Sequence, residues 1–133
     1  MTFNHSIKSF DELTNHELYN MLRLRSDVFV VEQNCPYLDL DNKDQKGFHL
    51  LYYVDNELAG VTRLLPKGVS YDEVSIGRVV IAKSYRGLGL GVKLMEASIE
   101  GCEEKFGKGP IRISAQYHLS KFYQSLGFVE QGE

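Results

Sequence analysis

The chain has 133 residues, 43% of them hydrophobic and 25% charged, with a formal net charge of −3. That is the make-up of one ordinary globular domain, long enough to bury a core without staples. It excludes a basic nucleic-acid surface and any apolar run near the roughly 18 residues of a membrane span, and the first residues, M-T-F-N-H-S-I-K, lack the layout of a secretion signal. The two cysteines, Cys35 and Cys102, make no disulfide framework. Free thiols and a cytoplasmic location are therefore expected.

Residues 3–8 read as a short first strand. Thr14 and Glu17 form a capping box, and Leu18, Met21, Leu22, Arg25 and Phe29 follow at helical spacing, which predicts a helix from Asn15 to about Ser26. Val28–Val31 is a short apolar, β-branched run, and 35–44 reads as a loop with an acidic segment. Strands are predicted at 49–54 and 58–65, joined by a tight turn at Asp55-Asn56-Glu57. Glu73–Ala82 is a long strand, apolar enough to be central. Val92, Met95, Ile99, Cys102 and Phe106 mark one buried face of a helix from Gly89 to Phe106, stopped by Gly107-Lys108-Gly109-Pro110. A strand at 111–115 and a last helix bearing Leu119, Phe122, Tyr123 and Leu126 complete the chain. The alternation predicts an α/β fold, and the strand–helix–strand unit at 73–115 a right-handed parallel crossover.

Between the central strand and the second helix stands Arg86-Gly87-Leu88-Gly89-Leu90-Gly91. Glycines here let the backbone approach a ligand, and the helix start supplies unpaired N–H groups and partial positive charge, a phosphate site. A nucleoside-triphosphate loop would need Lys and then Ser or Thr after its last glycine, whereas Gly91 precedes Val92-Lys93-Leu94. A dinucleotide fingerprint fits poorly, because the glycines alternate and the unit comes late in the chain. What remains is R-x-x-G-x-G.

Arg86, Gly89 and Gly91 resemble the acetyl-coenzyme A signature of the GNAT superfamily of N-acetyltransferases, and Phe122-Tyr123-Gln124-Ser125-Leu126-Gly127-Phe128 stands where that family has F-Y-x-x-x-G-F. Val30–Tyr37 with Asp39, Asp41, Asp44 and His49, together with Ile76-Gly77-Arg78-Val79, is similar to the ElaA-like branch. The resemblance covers nearly the whole chain. It implies a mixed, mostly antiparallel sheet flanked by helices. It also implies a single N-acetyltransferase domain over 1–133. Family members usually continue past the G-F into a final strand, whereas this sequence stops at Glu133, so that strand is expected to be missing or a stub.

The resemblance further implies acetyl-CoA as co-substrate. Pantetheine would lie along Val79, Val80 and Ile81, with an oxyanion donor near Val80. The pyrophosphate would sit on the N–H groups of Gly87, Leu88, Gly89, Leu90, Gly91 and Val92, with Arg86 adding charge. Tyr123 is expected as general acid toward the departing thiolate. Glu73 is expected as a base acting through water, with His118 and Glu32 as alternatives. The expected activity is direct transfer of acetyl to a primary amine of a small molecule or peptide. The rival from another class is a non-catalytic acyl-CoA binding or sensing module, which has no need of Tyr123.

The acidic segment has three readings. As a calcium loop it fails on Asp44 at position six and Leu50 at position twelve, and no metal is expected. It is otherwise a solvated loop of turn-forming aspartates or an acidic wall, with Glu32, Asp39, Asp41 and His49, that attracts a cationic acceptor. Arg78, on an inward strand position, needs an acidic partner, and Glu32 is the one expected. Exposed sheet edges make a homodimer the candidate assembly.

Overall fold

The computed structural model of the chain describes residues 1–36 and 38–113. Among these, strands β1 (Phe3–Ser9), β2 (Phe48–Val54), β3 (Glu57–Leu65), β4 (Val74–Ile81) and β5 (Ile111–Ile113) form one sheet in that order. β1 to β4 are antiparallel neighbours, and β4 and β5 are parallel. Helix α1 (Asn15–Ser26) covers one face, and α2 (Leu90–Phe106) covers the other. The expected fold class and the parallel crossover are both present. No helix among the described residues is long and apolar enough to cross a membrane. The last predicted helix, with Tyr123 and His118, lies outside the described residues.

Local chemistry accounts for the elements. Thr14 Oγ1 accepts from the Glu17 amide at 3.1 Å while Glu17 accepts from the Thr14 amide at 2.9 Å, so the capping box starts α1 where the sequence places it. Asp55 and Asn56 have φ of +50° and +69°, the two-residue hairpin geometry that suits twisted strands. The run Val28–Val31 continues α1 as a π-helical turn over Asp27–Glu32, closed by Gln33 N–H to Val28 O and Cys35 N–H to Val30 O. This wider turn buries Val28 and leaves Val31 exposed.

The two faces are covered by different means. Toward α2, Leu50, Tyr52, Val54 and Ala59 meet Leu90, Leu94 and Ala97, and Leu64, Val74 and Ile76 meet Met95 and Cys102. Burial pushes the Cys102 thiol up to about 12, as suits a core residue. Toward α1, Leu51, Val61 and Val80 meet Met21 and Val28. Along the same face the alternation brings up His49 and Arg63, and no apolar helix covers them. The segment 39–44 does so with charge.

Arg25, on the apolar stripe of α1 and 1% exposed, donates from Nε to Asp39 and from Nη1 to Asp44, each at 2.9 Å. Arg63 forks onto Asp41 at 2.8 and 2.9 Å and reaches Asp44 at 3.0 Å. Arg78 donates from Nη2 to the Asp39 carbonyl at 2.9 Å and to Asp41 at 3.2 Å. Its Nε lies 2.8 Å from Asp39 Oδ1, an ionic contact without an aligned N–H. His49, fully buried, donates from Nε2 to the Asp44 carbonyl at 2.8 Å.

Two expectations are corrected here. Arg78 pairs with Asp39 and Asp41, not with Glu32. The aspartates are neither solvated nor an outward wall: Asp39 and Asp44 are buried, and arginine guanidinium groups engage them along with Asp41. Buried carboxylates need such partners, and the partners come from elements distant in sequence.

Burial alone would raise the Asp41 carboxyl, but hydrogen bonds from Arg63 and the Lys43 amide, and the charges of Arg63 and Arg78, bring it down to about 2. Asp44 is also held low, its burial outweighed by Arg25 and Arg63. Burial lowers His49, against the pull of Asp44. Removing one member of such a network strands its partners, so R25M should cost about 3–5 kcal/mol in denaturant unfolding; a loss under about 1 kcal/mol would contradict a cohesive network. For His49 the folded state refuses a proton that the unfolded chain accepts near pH 6.5. Its contribution is therefore full above pH 6.5 and drains as pH falls below it. Unfolding of H49Q should lose less stability than the parent between pH 7 and 5; an identical slope would remove His49 from the acid response.

Candidate active site

The site is built where β4 hands over to α2. β4 has two parts. From Val74 to Ile76 it pairs with β5, in the register Val74↔Ile111 to Ile76↔Ile113. From Gly77 to Ile81, no described residue pairs with β4 on the β5 side. On its other side, Val61 pairs with Val80 and Arg63 with Gly77, so Thr62 faces both Arg78 and Val79. This is a one-residue bulge in β4, and Arg78 holds a φ of +50° there. Val79, Val80 and Ile81 lie just past the bulge, on an edge that no described residue pairs with.

Beyond Ile81 the chain makes a 3-10 turn at Lys83–Tyr85 and enters the glycine loop. Gly87 and Gly89 have φ of +83° and +73°, backbone that side chains seldom adopt. Gly89 is the N-cap of α2 and offers no side-chain oxygen to the first N–H groups. A helix that starts without a side-chain cap leaves its donors for a ligand. Within this loop and first turn Leu90 packs inward, whereas Leu88 and Val92 are exposed.

Arg86 is committed elsewhere. Its fork meets Glu32 at 2.5 and 2.8 Å, and its Nε donates to the Ile81 carbonyl at 3.0 Å. The pair pulls the Glu32 carboxyl below its usual range and ties the end of the π turn to the glycine loop. Glu32 thus stands beside the glycine loop, and the fully buried His49 contacts the Asp44 carbonyl. Glu73 precedes β4 at its other end and faces Arg112 of β5 at 3.9 Å. Seven strand residues, roughly 20 Å, separate it from Val80.

The sequence matches the family model described as an acetyltransferase (GNAT) domain over residues 14–133. The chain belongs to the GNAT acetyltransferase family. It is 42% identical to the protein ElaA of Escherichia coli strain K12 over 120 residues, 89% of this chain and 78% of that one. The crystal structure of Escherichia coli ElaA superposes with a TM-score of 0.93 over 99% of this chain and 90% of that chain, at 37% identity. The crystal structure of an acyl-CoA N-acyltransferase from Pseudomonas aeruginosa also superposes with a TM-score of 0.93, at 40% identity, over 99% of this chain and 92% of that one.

Acetyl-CoA is the co-substrate of the GNAT family, and the donor set here fits it. An uncapped helix start and a glycine loop suit a pyrophosphate, and a strand edge left unpaired by the described residues suits the amides of pantetheine. Arg25 and Arg63 are structural residues that the sequence reading did not place in a site, and Asp44, weighed there only within the acidic segment, is their shared partner. The one signal for Arg25 was a charge standing on the apolar stripe of α1.

The φ of Gly89 gives a direct test. No atom crowds an added Cβ there, so G89A isolates backbone strain. It should weaken acetyl-CoA binding by about tenfold in calorimetry while the fold persists, given about 1–2 kcal/mol for left-handed backbone in an L-residue. Unchanged affinity would remove the loop conformation from cofactor binding.

Proposed function

We propose that this chain transfers the acetyl group of acetyl-CoA to a primary amine of a small molecule or peptide, by direct attack. The observation that carries the proposal is the β4 edge from Gly77 to Ile81, unpaired on the β5 side by any described residue, running into the uncapped start of α2. Pantetheine would add along Val79–Ile81, with its pyrophosphate on the amides from Gly87 to Val92. The amine, after losing a proton, attacks the thioester carbonyl. A backbone N–H near Val80 stabilises the oxyanion. The tetrahedral adduct expels the thiolate, which takes the phenolic proton of Tyr123; the nitrogen gives its extra proton to the resulting phenolate, and the acceptor amine is left as its N-acetyl amide. The role of Tyr123 rests on the family motif F-Y-x-x-x-G-F, since the residue lies outside those described.

The binding arm of the test is calorimetry with acetyl-CoA, NAD and ATP. Micromolar binding of acetyl-CoA alone supports the reading; binding of NAD or ATP instead overturns it. The catalytic arm follows thiol release with polyamines, amino sugars and lysine peptides. Y123F should lower turnover by about 10²–10⁴-fold, the usual span of a general acid, with cofactor affinity nearly unchanged. Equal turnover removes Tyr123 from the mechanism. Tight binding with no thiol release from any acceptor favours a non-catalytic acyl-CoA binding module.

A further inference from the structure

Arg78 holds a backbone conformation that L-residues avoid, in the middle of a strand. Its φ of +50° falls in the left-handed region, where side chains other than glycine persist only when their surroundings over-determine them. Three contacts do so here. The guanidinium reaches the Asp39 carbonyl at 2.9 Å, Asp41 Oδ2 at 3.2 Å and Asp39 Oδ1 at 2.8 Å. Those anchors are themselves fixed, Asp39 by Arg25 and Asp41 by Arg63. A chain of ion pairs thus runs from α1 through the 39–41 segment to one residue of β4.

The bulge has a consequence for the cofactor edge. In a regular strand, residues four apart share a face. Ile76 packs among the α2-side residues, whereas Val80 packs among the α1-side residues. The extra residue reverses the alternation. It equally reverses which N–H and C=O groups of Val79–Ile81 point to the open edge and which to β3.

We propose that Arg78 is a positioning residue for acetyl transfer. Its ion pairs with Asp39 and Asp41 hold the β4 bulge, and the bulge aims the Val79–Ile81 backbone at the thioester. The proposal rests on the acetyl-transfer reading above. It places the charged residues of segment 39–41 in the reaction through the backbone, not through contact with an acceptor.

Three substitutions separate backbone from charge. R78G, R78A and R78V all delete the same guanidinium and leave the same aspartates behind. They differ in the cost of a left-handed φ, lowest for glycine and highest for a β-branched residue. The readouts are kcat for thiol release at saturating acetyl-CoA and the urea midpoint of unfolding. On the scale of left-handed strain, kcat should fall about threefold in R78G, about 30-fold in R78A and about 300-fold in R78V. The midpoints should keep the same order, and a valine variant that does not fold beside a folded glycine variant keeps it too. Equal kcat losses in the three, or the largest loss in R78G, would overturn the proposal, since loss of charge alone would then explain them. If the parent chain releases no thiol, the acetyl-transfer reading fails by itself. The midpoint order then still decides whether Arg78 holds the bulge, and equal midpoints overturn it.

Discussion

The structure depends on a cluster of opposite charges buried against one face of its sheet. Three arginines, from α1, β3 and β4, meet three aspartates from a segment of six residues. An apolar helix covers the first half of that face, and the second half has none. Without the arginines, the 39–44 segment would bury carboxylates with no compensation, and the loop would leave the sheet. Without the aspartates, Arg25 and Arg63 would carry unpaired charge into a core where neither is more than 4% exposed. Neither half is stable alone. The network therefore fixes where a loop lies, which hydrophobic burial could not do with so polar a sequence.

That constraint divides the labour of the fold. The α2 side is an apolar core that carries β4 into α2 through a loop with two glycines of positive φ. The α1 side is apolar where Met21 and Val28 meet Leu51, Val61 and Val80, and charged where the 39–44 segment meets Arg25, Arg63 and Arg78 at the bulge. The Glu32–Arg86 pair joins the two sides at the rim, because the π turn brings Glu32 within reach of the glycine loop. The family's chemistry needs an open strand edge beside a phosphate cradle. The features proposed for those roles here are features of the backbone, a bulge and two glycines with positive φ, more than reactive side chains.

The sequence exposed whatever is set by short-range rules. The capping box at Thr14 and Glu17, the turn at Asp55-Asn56, the period of α2 and the glycine loop all involve residues within a few positions of one another. The charge network was not legible for the opposite reason. Its hydrogen-bonded partners lie 14 to 39 positions apart, and an aspartate-rich loop looks the same whether it faces water or arginine. Arg78 was recognised as needing an acid, but several acids were available, and only the register of β3 on β4 selects Asp39 and Asp41. The bulge also hid, since Ile76-Gly77-Arg78-Val79 reads as ordinary strand and places its glycine one residue before the positive φ. The π turn escaped because Val28–Val31 has the composition of a strand while it continues a helix.

The central claim is that acetyl-CoA adds to the β4 edge beyond the bulge and seats its pyrophosphate on the start of α2. Amide hydrogen exchange with and without saturating acetyl-CoA tests it most directly. Protection should rise at Val79–Ile81 and at Gly87–Val92, with little change along β1 and β2. Protection that rises elsewhere while these two segments stay unaltered would contradict the account.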